Sequence, residues 1–234
     1  MPLLTNGNSD LRRDRIWTWT LPAWVVTLPD GTKFNACPSA GECAPMCYAR
    51  KGTYRFGNVL KAHMRNLALV LDSLPEWETA MSKELDHAKF RGAHVRVHDS
   101  GDFFSDTYLS AWLRVIGSHP DTTFYCYTKE VKRFRRLVEP AGLANFRHVY
   151  SYGGRQDSAI MSTDRQCDVF PSNELLHDAG FHDQKDSDLL AIYGPSNVGI
   201  VINNHPGAVK RMDGRSLRQM QSQRHVRGAV DGDS

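Results

Sequence analysis

His94-Val-Arg-Val-His98 runs without a break into Asp99-Ser-Gly-Asp-Phe-Phe-Ser105. The first five residues alternate valine with polar side chains, the period of a β-strand. The glycine then permits a turn, and Ser105 or Asp106 caps a helix reaching Ile116, which Gly117 and Pro120 end. In this strand Val95 and Val97 share one face, while His94, Arg96 and His98 share the other. A helix laid over the valines leaves the polar face toward a functional cavity or toward solvent as an edge strand.

The same rhythm continues on either side. Thr123–Thr128 and Arg147–Tyr152 read as strands, with a short basic helix Glu130–Glu139 between them, stopped by Pro140. A short strand is expected at Cys167–Phe170, a helix over Ser172–Ala179, and a buried strand at Asn197–Ile202. Upstream, Trp17–Trp24 is strand-like and Val25–Thr32 suggests a hairpin. Two helices follow, from Arg55 to Leu74 and from Pro75 to Phe90. Strand–helix alternation of this kind predicts a parallel sheet covered by helices, an α/β fold. Residues 17–204 are read as one domain. Residues 1–16 are read as a flexible N-terminus, and 205–234 as a basic, mobile tail.

In such folds ligands sit beyond the carboxyl ends of the strands. Those ends carry the unusual residues. The hairpin leads into Asn35-Ala-Cys-Pro-Ser-Ala-Gly-Glu-Cys-Ala-Pro-Met-Cys-Tyr48, which holds three of the five cysteines within eleven residues. Three thiolates on one irregular loop suit a soft metal or an iron–sulfur cluster. Ser100, Gly101 and Asp102 follow one strand, Lys129 another and Ser151–Gly154 a third. Gly101 permits close backbone approach to a ligand, and Asp102 can accept from an ammonium or a hydroxyl. Lys129 can neutralise a carboxylate or phosphate. The plainer readings are a capped turn for Asp102 and a surface amine for Lys129. His63 and His205 are candidate fourth metal ligands, and Cys126 and Cys167 read as small buried residues.

With 234 residues, 41% hydrophobic and 24% charged, the chain has the composition of a soluble globular protein. No apolar run approaches the roughly 20 residues of a membrane span, and the first fifteen residues lack a signal-peptide core. A reducing cytoplasm is therefore expected, where a cysteine cluster binds metal rather than forming disulfides. The net charge of +3 does not by itself indicate nucleic acid. Lys132, Arg133, Arg135 and Arg136 on one short helix give that partner weak support. A zinc site needs a fourth ligand and usually Cys-x2-Cys knuckles, which are absent from the cysteine loop.

Three segments carry a family resemblance: residues 37–52 with the cysteines, 95–105, and Phe124-Tyr-Cys-Tyr-Thr-Lys129. They resemble the gene product 88 family of actinobacterial phages, over about Trp17–Ile202. This implies a phage-encoded protein working in a bacterial host cytoplasm. More distantly, the layout is similar to the radical S-adenosylmethionine enzymes. That similarity implies a partial, about six-stranded TIM-like β/α barrel with helices outside. It further implies a 4Fe–4S cluster on Cys37, Cys43 and Cys47, with S-adenosylmethionine at the open iron and Ser100, Gly101, Asp102 and Lys129 as cofactor contacts. The spacing here is Cys-x5-Cys-x3-Cys, against Cys-x3-Cys-x2-Cys in those enzymes. The alternative is a non-enzymatic iron–sulfur or zinc protein acting on a host protein or on nucleic acid machinery.

Overall fold

The structure is a computed structural model that describes residues 2–202 and 206–230. The strands are β1 (Thr5–Asn6), β2 (Ile16–Trp19), β3 (Val25–Thr27), β4 (Lys33–Asn35), β5 (His94–Val97), β6 (Thr123–Thr128), β7 (Phe146–Ser151), β8 (Gln166–Phe170), β9 (His182–Asp183) and β10 (Asn197–Val201). The helices are α1 (Ser9–Arg13), α2 (Cys43–Met46), α3 (Gly57–Asp72), α4 (Leu74–Leu85), α5 (Asp106–Ser118), α6 (Val131–Leu137), α7 (Asn173–Asp178), α8 (Leu190–Tyr193), α9 (Pro206–Met212) and α10 (Leu217–Val230).

Among the described residues, eight strands form one sheet in the order β1-β2-β5-β6-β7-β8-β10-β9, and β3 pairs with β4 as a separate hairpin. The pairings from β2 to β9 are parallel, and only β1 is antiparallel to its neighbour. The fold is therefore mixed α/β with a mostly parallel sheet flanked by helices. Apart from the short edge strand β9, the parallel strands follow one another across the sheet in chain order. β1 and β9 end the ladder, so the hydrogen-bonded sheet is not closed.

Side-chain alternation sorts the two faces. Val95, Val97, Phe124, Cys126 and Phe146 pack with Leu67 of α3, Trp77 and Met81 of α4, Trp112 of α5 and Phe134 of α6. Trp77 and Trp112 meet edge to face at 4.9 Å, and Trp19 Nε1 donates to the Tyr108 hydroxyl at 2.8 Å. Aromatic rings fill the volume, and the polar atom of Trp19 finds a partner within the core. On the opposite face Ile16, Tyr125, Val149, Cys167 and Val198 pack against Leu11 of α1 and Ala191 and Ile192 of α8.

Both chain ends depart from the sequence expectation. Leu3 and Leu4 are buried in the main core, and their N–H groups donate to the Glu84 carboxylate. Apolar residues so placed hold the N-terminus on the body, although residues 1–16 read as loose. The basic segment read as a tail from residue 205 contains α9 and α10. Ala208, Met212, Leu217 and Met220 are buried against Met46 of the cysteine loop. These few apolar residues suffice because they fall on one side of two short helices.

Candidate functional site

The carboxyl ends of β5, β6 and β7, the cysteine loop and α9–α10 enclose one cavity of about 340 Å³. Cys37, Cys43 and Cys47 all line it, with Ser100, Gly101, Asp102 and Lys129. The seven residues singled out from sequence therefore converge on one space. Cys167 of β8 lines it too, a role its mid-strand position did not signal.

The cysteine loop is held by main-chain contacts to the turn after β7. The N–H groups of Gly41 and Cys43 both donate to the Gly153 carbonyl at 3.1 Å, and Arg155 N–H donates to the Ser39 carbonyl at 2.8 Å. Ser39 N–H donates to the Glu130 carboxylate at 2.9 Å. Glycine is required at Gly153, where φ is 90° and a Cβ would lie 3.0 Å from Leu217. The Asp157 carboxylate accepts from both Gly153 and Gly154 N–H at 2.8 Å and so fixes that turn.

The three sulfurs are half-buried free thiols. Burial pushes each thiol pKa up. Opposing it, main-chain groups of Trp24, Gly41 and Ala49 favour the thiolates of Cys37, Cys43 and Cys47 respectively. Trp24 N–H reaches the Cys37 sulfur at 3.3 Å. The Lys129 ammonium adds an attractive charge to Cys43 and Cys47. Donors and a cation around sulfur are the environment in which thiolates ligate soft metals. Among the described residues, no group of three or more His, Cys, Asp or Glu side chains is placed to hold a metal ion.

Asp102 is committed internally. Its carboxylate accepts from Thr128 Oγ1 at 2.7 Å, Lys129 N–H at 2.9 Å and Phe103 N–H at 2.8 Å. Asp102 N–H donates to the Ala36 carbonyl at 2.9 Å. The residue thus clamps β5, β6 and the cysteine loop together. Ser100 Oγ donates to the Leu21 carbonyl at 2.8 Å. Gly101, with φ of 85°, lets the turn pass where a Cβ would come 2.7 Å from Leu21. Lys129 Nζ donates to Ser151 Oγ at 2.8 Å and to the Tyr152 carbonyl at 2.9 Å. All four are positioning residues for the cavity wall.

Two lining residues sit in the left-handed backbone region, Trp24 at φ 57° and His98 at φ 66°. Bulky residues there are uncommon and mark special sites. The turn swings His98 off the polar face expected from alternation, and its ring packs on Phe103 at 4.7 Å and Tyr108 at 5.6 Å. It is 3% exposed, and neither ring nitrogen makes a hydrogen bond of normal geometry. Burial lowers its pKa to about 3, against an opposing pull from the Ser100 main chain. Tyr152, just after β7, packs with Phe170, Leu176 and Phe181 and donates to Gln166. His63 lies tilted against Tyr54 with ring centroids 5.7 Å apart, outside the cavity lining, and His205 lies outside the described residues.

The basic helix α6 offers little free charge. Arg133 pairs with Asp106 and Glu130, Arg135 with Glu139 and Asp164, and Arg136 with Asp106. Among the described residues no helix is long and apolar enough to cross a membrane.

Comparison with known proteins adds the source of this architecture. The family model described as Gene product 88 matches residues 2–229. The chain belongs to the Gene product 88 family. Two relatives are the Gene 88 proteins of Mycobacterium phage L5, 34% identical, and Mycobacterium phage D29, 33% identical, each over 112 residues. Either match covers 44% of this chain and 46% of the relative, so the chain spans less than half the length of these curated relatives. No solved structure matches the chain. For this Gene product 88 protein the comparisons give no support to the resemblance to radical S-adenosylmethionine enzymes.

Proposed function

We propose that the protein carries an iron–sulfur cluster of the 4Fe–4S type on Cys37, Cys43 and Cys47, at the mouth of a partial β/α barrel. The observation that carries this reading is the convergence of all three cysteines on one cavity. Cluster thiolates bind different irons, so they need not converge on one point as the ligands of a single ion must. Three protein ligands leave one iron open, and that iron supplies Lewis-acid or electron-transfer chemistry when the cluster is bound.

Chain length supports the barrel reading. Gln184 N–H donates to the Gly199 carbonyl of β10 at 3.2 Å, while Ser187 Oγ donates to Asp14, just before β2, at 2.6 Å. Three residue steps span roughly 11 Å. In a flat sheet β2 and β10 are five strand spacings apart, roughly 24 Å. A curled sheet, with the polar strand face inside, accounts for that reach.

Anaerobic purification tests the cluster. The brown protein with a broad absorbance near 400 nm is expected, and single Cys37→Ala, Cys43→Ala or Cys47→Ala variants lose it. A colourless protein that holds stoichiometric zinc overturns the proposal. Within it, the open iron is proposed to take S-adenosylmethionine in the barrel. Electron paramagnetic resonance of the reduced cluster should change on its addition; an unchanged spectrum favours a non-enzymatic cluster protein acting on a host partner.

A further inference from the structure

Deeper in the same cavity lies an arginine that the cluster does not require. Arg96 of β5 points from the inner sheet face and lines the cavity with Tyr127 and Cys167. Its Nη1 donates to the Asp188 carboxylate at 3.1 Å. Asp188 also accepts from the Tyr125 hydroxyl, from Gln184 Nε2 at 2.9 Å and from the Tyr127 hydroxyl at 3.4 Å. Tyr127 lies under the guanidinium, 5.0 Å from its centroid to Cζ. One edge of the guanidinium is thereby fixed by an ion pair, and its plane by an aromatic ring.

The other edge is unused. Arg96 Nε is buried with no partner, and Nη2 makes no hydrogen bond among the described residues. A buried donor of a cation left unpaired costs on the order of 1–3 kcal/mol or more. Asp188 has its acceptors filled and is not free to turn toward that edge. The Nε–Nη2 edge is the fork that matches two carboxylate oxygens. The lining of the same cavity also includes the apolar residues Val169, Ile200, Ile202, Met212 and Leu217.

We infer that Arg96 is the anchor of a binding site for a small organic carboxylate, whose two oxygens take the Nε–Nη2 edge while its apolar body lies on the β8–β10 and α9–α10 wall. The inference does not rest on the cluster: Arg96 stands on β5, outside the cysteine loop, and its fixed edge is held by Asp188. The substituent class is set by the fork, and the body by the aliphatic wall.

The test uses the full ¹³C,¹⁵N-labelled chain and the side-chain Nε–H signal of Arg96, assigned by through-bond correlation to its own side-chain carbons. Hexanoate, hexanamide and inorganic phosphate are the probes. Hexanoate is expected to shift the Arg96 Nε–H signal saturably and to move the Tyr127 and Val169 amides. Hexanamide, or hexanoate with Arg96→Lys, is expected to bind at least about tenfold more weakly, since each loses the two-point charged contact. An Arg96 signal that does not move, a hexanamide affinity equal to that of hexanoate, or phosphate matching hexanoate overturns the inference. The wild-type titration stands even if Arg96→Lys fails to fold. Iron measured on the same samples separates the two claims: a saturable Arg96 shift without iron sinks the cluster alone, and iron without the shift sinks the carboxylate site alone.

Discussion

A neutral imidazole closed into an aromatic corner sets the first expectation at the residue scale. His98 has its pKa lowered from 6.5 to about 3 by burial. The unfolded chain therefore binds a proton between those values that the folded chain refuses, so the fold loses stability as pH falls below about 6.5. The slope for this one group approaches about 1.4 kcal/mol per pH unit. Urea unfolding of wild type and His98→Asn should show the wild type losing stability faster between pH 6.5 and 5; parallel pH curves contradict the assignment. Asp102 gives a second expectation. Asp102→Ala strands three donors from Thr128, Lys129 and Phe103 and should cost about 3 kcal/mol or more in urea unfolding, with Asp102→Asn costing less. At this scale the sequence shows which residues meet, because cysteines, Gly101 and Lys129 follow strand ends. It does not show what Asp102 and Lys129 do there, because Asp102 is tied to Thr128 and Lys129, and Lys129 to Ser151 and Tyr152, more than twenty residues along the chain. Nor does it show the face of His98, since one left-handed residue reverses the alternation.

At the scale of elements, strands β5, β6, β7, β8 and β10 and helices α3 to α7 lie within a few residues of the positions their periodicity indicates. The cap of α5 is Ser105, whose Oγ accepts from Tyr108 N–H at 3.2 Å. The missed helix α10 also has a readable start. Ser216 and Gln219 form a capping box, with Ser216 N–H to Gln219 Oε1 at 2.8 Å and Gln219 N–H to Ser216 Oγ at 3.3 Å. The density of basic residues after Lys210 masks that signal. Asp168 of β8 adds an acceptor for Arg218 N–H at 3.2 Å. Ser216→Ala should lower the unfolding free energy by about 1 kcal/mol, read by urea denaturation. Gly41→Ala acts on the cysteine loop. Its new Cβ would collide with the Gln221 amide and lie 2.9 Å from the Gly153 carbonyl. The loop must shift off its anchoring carbonyl, and the variant should bind less iron than wild type under anaerobic reconstitution.

At the scale of the whole molecule, a mostly parallel sheet sets a lysine and a half-buried arginine on the same cavity as the three thiols of the cysteine loop, beside two basic C-terminal helices. Glu42 in the cysteine loop pairs with Arg211 and Arg224, so α9 and α10 are bound to the loop by charge as well as by Met46. A parallel sheet was legible because β5, β6, β8 and β10 carry strand patterns and strand–helix alternation runs through this part of the chain. The packing of α9 and α10 against the cavity and the cysteine loop was not, because its contacts are long-range and few. The central claim is tested most directly by counting iron and acid-labile sulfide per chain after anaerobic reconstitution, in wild type beside the Cys37→Ala/Cys43→Ala/Cys47→Ala variant. About four of each per wild-type chain and almost none in the variant are expected for a cluster on this loop. Equal iron in the two proteins, or none in either, contradicts it.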